Sequence, residues 1–244
     1  MDDRPGVAAT IISPPEALAA VRRARELCPQ ITVAGVAGPG DTLATPYALQ
    51  TFRLIKAEFP EIIKCMSTNG LLLPDFTDEI IEVGIDSMTV TVNAVDPRVQ
   101  AEICDRVRYK GLCYEGQEAA EILIANQLAG IRKLASAGLT VKVNSVLIPE
   151  INAQHIAEVA MTVSAAGARI MNIIPLIPQH ELAWCTEPGC TLLGSSRQAA
   201  ERYVKVFKHC QRCRADAAGI IGGVDVSKQI YQRPVSQAQT FSHG

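Results

Sequence analysis

The sequence predicts an α/β fold in which parallel strands alternate with helices, and three observations support this class. Strand and helix patterns alternate five times after residue 13, at a spacing of about thirty to forty residues. The strands are apolar along their whole length, which is typical of parallel strands covered by helices. No GxGxxG follows the first strand, which disfavours a doubly wound dinucleotide-binding sheet. We therefore expect a partial, TIM-like (β/α) barrel.

The first element is a helix over residues 13–29, because Ser13 is a suitable N-cap and prolines occupy the first turn. Gly84 and Gly138 are expected to end two later helices. Residues 97–116 form a polar, irregular stretch before the longest helix. The predicted strands are 31–41, 61–70, 85–96, 139–149 and 168–178, and the later helices are 45–60, 75–84, 118–138, 152–167 and 195–213.

The chain opens with a helix, although each helix of such a fold normally follows a strand. Residues 1–12 are too few and too polar to supply a strand and its loop. The sheet is therefore expected to lack its first strand and that strand's loop, which leaves an apolar edge that natural proteins avoid. We expect a chain truncated at its start, with one barrel-like domain over residues 1–220 and a poorly ordered tail over 221–244.

Composition and the first residues disfavour several classes of protein. The formal net charge is -2, and no run of Lys or Arg forms a patch for nucleic acid. The longest apolar runs have the length of strands, so no membrane span is expected. The amino-terminal stretch lacks the features of a signal peptide, which predicts a cytoplasmic protein. In a reducing compartment, the eight cysteines are expected to be core residues or metal ligands.

Small and polar residues converge at the carboxyl ends of the predicted strands, where parallel barrels place their active sites. GPGD follows the first strand, STNG the second and Asn93 the third, while the fourth carries Lys142 and Asn144. This lining suits a polar ligand held by backbone and amide hydrogen bonds. It does not suit hydrolysis, because it offers no Ser-His-Asp set and no His-rich zinc site. A simpler alternative is that Asn69 and Asn93 cap turns.

Six short stretches form a distinctive ordered series: RPGV at 4–7, AGPGD at 37–41, KCMSTNGL at 64–71, TVNAVDP at 91–97, VRYKG at 107–111 and CQRCRADA at 210–217. The series resembles the NifB family of radical S-adenosylmethionine (SAM) proteins. The resemblance implies a radical SAM barrel with [4Fe-4S] clusters and SAM as cofactors. Such an enzyme fuses a pair of [4Fe-4S] clusters, with a carbide from the SAM methyl group and a sulfur, into an eight-iron nitrogenase cofactor precursor. The implied partners are iron-sulfur cluster donors and nitrogenase cofactor assembly or carrier proteins.

The resemblance also implies roles for individual residues. Cys210 and Cys213 lie at positions i and i+3, so their sulfurs point from one face of a helix end or of the following turn. Together with Cys65, they would bind one [4Fe-4S] cluster through thiolates. A structural zinc site or two ordinary thiols are the alternatives for the pair. The implied contacts with SAM or with the substrate clusters come from Gly38, Pro39, Gly40, Asp41, Thr68, Asn69, Asn93 and Asn144.

The family's CxxxCxxC motif, which binds the cluster that cleaves SAM, is absent from the sequence. We therefore expect a radical SAM enzyme by family, of which this chain is an inactive fragment. A non-catalytic carrier of an iron-sulfur cluster is the alternative. In a third interpretation, the chain is an unrelated barrel aldolase or isomerase, and Lys142 at a strand end forms a Schiff base. His155 is expected on a solvated helix face.

Overall fold

The structure is a computed structural model, and it describes residues 12–36, 40–207, 218–220 and 223–230. The strands are β1 Val33–Val36, β2 Ile63–Thr68, β3 Ser87–Thr91, β4 Arg106–Tyr109, β5 Leu112–Glu115, β6 Thr140–Leu147, β7 Ile170–Pro175 and β8 Lys205–Val206. The helices are α1 Pro14–Leu27, α2 Tyr47–Glu58, α3 Leu73–Val83, α4 Pro97–Ile103, α5 Gly116–Ser136, α6 Ile156–Ala165, α7 Cys190–Ala200 and α8 Ser227–Ile230.

A six-stranded parallel sheet forms the centre of the described structure, in the order β1-β2-β3-β6-β7-β8. Its strands lie side by side in the order in which they occur along the chain, with β4 and β5 in a separate two-stranded sheet. A doubly wound sheet would instead reverse its strand order at a switch point. The predicted α/β class and the partial, TIM-like barrel are therefore confirmed.

The strand β1 forms one edge of the sheet, and within the described ranges it pairs with β2 alone. Val33 on this strand is 49% exposed. An edge strand presents a row of backbone N-H and C=O groups, which natural proteins usually cover or protect. Among the described residues β1 thus has one unpaired edge, and the absence of a preceding strand stays a prediction.

The two faces of the sheet differ in chemistry, because successive side chains of a strand point to opposite sides. On the helix-covered side, Met66, Met88, Val143 and Met171 are buried in the main hydrophobic core. The opposite side, which we term the inner face, is largely polar. Strand pairing places these inner-face residues side by side: Gly35, Cys65, Ser67, Ser87, Thr89, Thr91, Lys142, Asn144 and Asn172.

The helix predicted over residues 195–213 is wrong for residues 201–207, and residues 208–213 lie outside the described residues. Helix α7 ends at Ala200, and after a turn the chain returns to the sheet as β8. Val206 is buried there, and Phe207 N-H donates to the Met171 carbonyl at 2.8 Å. A β-branched residue and the edge of β7, which offers backbone partners, favour a strand over a longer helix.

The stretch over residues 97–116 has regular structure, which corrects the prediction of an irregular segment. Asp96 caps α4, because its carboxylate accepts a hydrogen bond from Arg98 N-H at 2.8 Å. Strands β4 and β5 then form an antiparallel hairpin. Lys110 and Gly111 supply its two-residue turn with φ of 52° and 82°, which suits a tight hairpin.

Part of the predicted tail is described, and it carries secondary structure. Gly219 and Asp225 form an isolated antiparallel bridge, and α8 lies against α1. The division of the chain at residue 220 stays a prediction. None of the described helices has both the length and the apolar character needed to span a membrane.

Candidate functional site

The inner face of the sheet is the candidate site, and strand register arranges it in three rows. The upper row lies nearest the carboxyl ends of the strands, where parallel folds bind their ligands. The lower row lies four residues further down, or about 13 Å at about 3.3 Å per residue. The upper row holds Thr91, Asn144 and Asn172, the middle row Ser67, Thr89 and Lys142, and the lower row Gly35, Cys65 and Ser87.

The loop after β1 is tied to the end of β2 through Asp41. Its carboxylate accepts hydrogen bonds from the Thr68 hydroxyl at 2.8 Å and from Asn69 N-H at 2.6 Å. Three residues selected from the sequence are thus brought together. Because the carboxylate is used to hold the loop, a direct ligand contact by Asp41 stays a prediction. Of the remaining selected residues in this loop, Gly40 is described and exposed, whereas Gly38 and Pro39 lie outside the described residues.

The turn after β2 is held from α5 by Gln127. This side chain is buried, and its Nε2 donates to the carbonyls of Asn69 and Thr91 at 2.8 Å each. Asn69 Oδ1 accepts from Leu71 N-H at 2.8 Å, so this oxygen caps the turn. No sequence pattern points to Gln127, because it lies far along the chain from the turn that it holds.

Asn93 joins the loop after β3 to β6, since its Oδ1 accepts from Val146 N-H at 2.9 Å. Asn152 completes the link, because its Nδ2 donates to the carbonyls of Asn93 at 2.9 Å and Val146 at 2.8 Å. Asn152 Oδ1 accepts from Ile148 N-H at 2.8 Å. The capping alternative therefore accounts for the side-chain oxygen of Asn69, whereas that of Asn93 joins the loop after β3 to β6 instead. Their contact with a cofactor stays a prediction.

His155 is buried against the loop after β3, so its predicted place on a solvated helix face is wrong. Its Nε2 accepts from the backbone N-H groups of Val95 at 3.0 Å and Asp96 at 3.2 Å. Its Nδ1 lies 3.0 Å from a carboxylate oxygen of Glu158. Hydrogen bonds from the Arg98 side chain and backbone lower the pKa of Asp96 to about 2. These contacts order the loop that follows β3.

Asn144 and Asn172 give the strongest indication of a bound ligand. They are 8% and 1% exposed, respectively. Asn144 Oδ1 and both polar side-chain atoms of Asn172 have no hydrogen-bond partner among the described residues. An unpartnered buried polar group costs about 1 to 3 kcal/mol, so a ligand that pairs with these atoms gains binding energy. Asn144 is among the residues for which the resemblance implies a contact. Asn172 lies on the fifth predicted strand, but the resemblance implies no contact for it.

Cys65 lies in the lower row, where it is partly buried on β2. Burial raises the pKa of its thiol, while a hydrogen bond with Ser87 and the charge of Lys142 act in the opposite direction. In the described part of the chain, no group of three or more His, Cys, Asp or Glu residues could hold a metal ion. Cys210 and Cys213 lie outside that part, so the three-thiolate site stays a prediction.

Lys142 lies in the middle row, well before the carboxyl end of β6 at Leu147. The expectation of a lysine at the strand end is therefore wrong. Its ammonium nitrogen lies 5.6 Å from the centre of the Phe207 ring, which is a cation-π contact. This position removes the geometric argument for the aldolase interpretation, which required the amine at the mouth of the barrel.

Comparison with known proteins first defines a class. Residues 4–163 match the model of the radical SAM superfamily. A radical SAM methyltransferase from Sphaerobacter thermophilus shares the fold, with a TM-score of 0.62 and 19% identity over 80% of this chain and 57% of that chain. Streptococcus suis SuiB bound to S-adenosylmethionine gives a TM-score of 0.60 and 10% identity over 89% of this chain and 47% of that chain.

Sequence relatives then define a narrower family. The FeMo cofactor biosynthesis proteins NifB of Klebsiella pneumoniae and Chlorobaculum tepidum are 41% and 40% identical over 97% and 94% of this chain. The chain spans about half of their length, 52% and 55%. NifB of Methanocaldococcus jannaschii is 37% identical over 99% of this chain and 82% of its own length. The chain therefore belongs to the radical SAM superfamily and, within it, to the NifB family.

Proposed function

We propose that the chain binds SAM and an iron-sulfur substrate as part of a NifB-type radical SAM enzyme. Its relatives are FeMo cofactor biosynthesis proteins, which supports a role in that process. The finer reaction that we propose is the fusion of two [4Fe-4S] clusters, with a carbide and a sulfur, into an eight-iron precursor. Cluster donors and cofactor assembly or carrier proteins would be the partners, in the cytoplasm.

The observation that carries the proposal is the pair of buried asparagines in the upper row. Asn172 offers an unpartnered donor and acceptor, and Asn144 Oδ1 offers a further acceptor. SAM fits this set, because its ribose hydroxyls and its adenine edge combine donors with acceptors. Asn144 and Asn172 would hold this uncharged part of the cofactor. When bound, SAM with its [4Fe-4S] cluster supplies the radical chemistry of the superfamily.

Cys65 is the described residue best suited to bind the iron-sulfur substrate, since thiolates are the usual ligands of such clusters. Its neighbour across the strand pair is Gly35, which has no side chain to occupy the inner face beside the sulfur. Cys210 and Cys213 are the proposed further ligands. The polar inner face around Cys65 supports the binding of a charged inorganic substrate more than that of an apolar one.

We further propose that these 244 residues do not cleave SAM on their own. The sequence has eight cysteines but no CxxxCxxC, the motif that leaves one iron of its cluster free to bind SAM. The same observation favours the second candidate function, a non-catalytic carrier of an iron-sulfur cluster, because Cys65, Cys210 and Cys213 are still available as ligands.

Anaerobic equilibrium dialysis with labelled SAM tests the proposal on the wild-type chain and on Asn172→Leu. We expect the substitution to weaken SAM binding about tenfold, because lost hydrogen bonds are worth about 0.5 to 1.5 kcal/mol each. Gln117→Leu is the control, since the Gln117 side chain donates to Glu121 at 3.1 Å within α5, away from the inner face and from the turn after β2. This control should bind SAM as the wild type does.

Three outcomes of the same preparation separate the candidate functions. A wild-type chain that does not bind SAM at millimolar concentration would refute the SAM site. If that chain still retains iron and sulfide, and Cys213→Ala loses them, the cluster carrier becomes the better assignment. Formation of 5′-deoxyadenosine by the chain alone would contradict its proposed inactivity.

A further inference from the structure

Lys142 is a cation on the inner face that no feature described above uses. The inner-face positions of β1, β2, β3, β6, β7 and β8 carry no Asp or Glu. Within the described ranges, Lys142 forms no ion pair, and its described partner is the Phe207 ring at 5.6 Å. A partly buried cation without a carboxylate partner favours the binding of an anion.

Lys142 lies one row above Cys65 on the inner face. The two residues are on β6 and β2, with β3 between them, and both side chains point to this face of the sheet. Ser87, the neighbour of Cys65 on β3, adds a hydrogen bond to the sulfur. Gly35 leaves the other side of Cys65 without a side chain. One cation, one hydroxyl and one thiol thus share the inner face with a position that carries no side chain.

We infer that Lys142 compensates the negative charge of an iron-sulfur cluster bound at Cys65. The inference rests on the proposed function, because it requires the cluster substrate. A cluster held by thiolates is anionic, and each added electron makes it more negative. A fixed positive charge nearby therefore stabilises the bound cluster, and it stabilises the reduced state more than the oxidised state. The Phe207 ring holds the ammonium group on the inner face.

The test uses the 244-residue chain after anaerobic reconstitution with iron and sulfide. Iron and sulfide per chain are measured first, for the wild type and for Cys65→Ala, to establish that a cluster binds at Cys65. Its reduction potential is then measured by spectroscopic titration in the wild type, Lys142→Met and Lys142→Arg. Lys133→Met is the matched control, since Lys133 pairs with Asp78 on the outer surface at 2.7 Å.

Lys142→Met should retain less iron and shift the potential to more negative values. A tenfold loss of preference for the reduced state corresponds to about 59 mV for a one-electron couple. Lys142→Arg keeps the charge and should restore both readouts, and Lys133→Met should match the wild type. Circular dichroism shows whether each variant is folded. If Lys142→Met disturbs the sheet, Lys142→Arg still allows the effect of the charge to be compared with the wild type.

The possible negative results distinguish a failure of the proposed cluster binding from a failure of this inference. If the wild type retains no iron, the proposed cluster binding is refuted and this inference with it. If Cys65→Ala releases the cluster but Lys142→Met leaves both iron content and potential unchanged, the inference alone is refuted. If Lys142→Met weakens SAM binding and leaves the cluster unaffected, the lysine instead serves the methionine carboxylate, which also overturns the inference.

Discussion

At the scale of single residues, two buried asparagines have opposite roles. Asn152 uses its side chain fully, with two donated hydrogen bonds and one accepted bond that join the loops after β3 and β6. Asn172 is equally buried, yet its side-chain atoms have no partner among the described residues. One asparagine therefore stabilises the fold, and the other is available to a ligand at a cost to the ligand-free protein.

Replacement of each asparagine by leucine, a side chain of similar size, separates these roles. Asn152→Leu should lower the free energy of unfolding by about 2 to 4 kcal/mol, because it leaves several buried backbone groups unpaired. Asn172→Leu should leave the free energy of unfolding unchanged or raise it, because only unpartnered atoms are removed. Chemical denaturation of both variants without ligand measures the difference. Equal losses in the two variants would show that Asn172 has a structural partner.

At the scale of elements, the packing of α5 against the end of β2 requires a glycine at the turn. Gly70 has a φ of 87°, and a Cβ there would lie 2.6 Å from Gln127 Cγ and 2.9 Å from Val90 Cγ1. The Gln127 side chain also donates to the carbonyl next to this turn. Backbone conformation and close packing thus act together at one position.

Gly138 offers a matched control for Gly70, since its φ is 90° and a Cβ there would meet nothing within 4 Å. Gly138→Ala should lower the free energy of unfolding by about 1 to 2 kcal/mol, from the left-handed backbone alone. Gly70→Ala should lower it by about 2 to 4 kcal/mol, because overpacking adds to the same strain. Denaturation midpoints of the two variants give the comparison. A smaller loss for Gly70→Ala than for Gly138→Ala would contradict the packing argument.

The sequence predicts the five long strand regions because apolar residues recur in each, as Val141, Val143 and Leu147 do in β6. The expectation that the strands are apolar along their whole length is wrong, because polar residues alternate with these on the inner face. The hairpin of β4 and β5 was predictable in principle, since Lys110-Gly111 is a two-residue turn between alternating segments. The strand β8 is harder to predict, because two paired residues after a helix carry little periodicity. Tertiary pairing with β7 decides its structure.

The candidate site was predictable where residues lie at the carboxyl ends of neighbouring strands, as for Asp41 and Thr68. Residues that depend on strand register were not. Asn172 acquires its role only because β7 pairs with β6 and aligns it with Asn144. Gln127 and His155 act from helices, and nothing in their local sequence shows that they face strand ends.

At the scale of the whole molecule, the open edge at β1 affects how chains meet one another. Val33 is half exposed on a strand that pairs on one side within the described ranges. Such an edge can pair with the edge of a second chain, and a charged side chain there opposes that pairing. The exposed edge is a property of the whole sheet, because β1 becomes an edge strand only when the other strands are paired on its opposite side.

Val33→Lys should therefore raise the concentration at which the chain self-associates by severalfold, without loss of secondary structure. Light scattering over a concentration series measures the onset, and circular dichroism reports the fold. Tyr47→Lys is the control, because Tyr47 is also exposed but lies at the start of α2 and not in β1. Equal shifts in both variants would mean that general surface charge, and not the strand edge, governs association.

The polar inner face and the apolar helix-covered face belong to the same strands but have different roles. Fully buried methionines and valines on one side fix the architecture, while Ser87, Thr89 and Asn144 on the other side contribute little to that packing. Side chains on the inner face can therefore be replaced while the fold is retained. A sheet of this kind can acquire a new reaction through single substitutions on that face, without a change in its hydrophobic core.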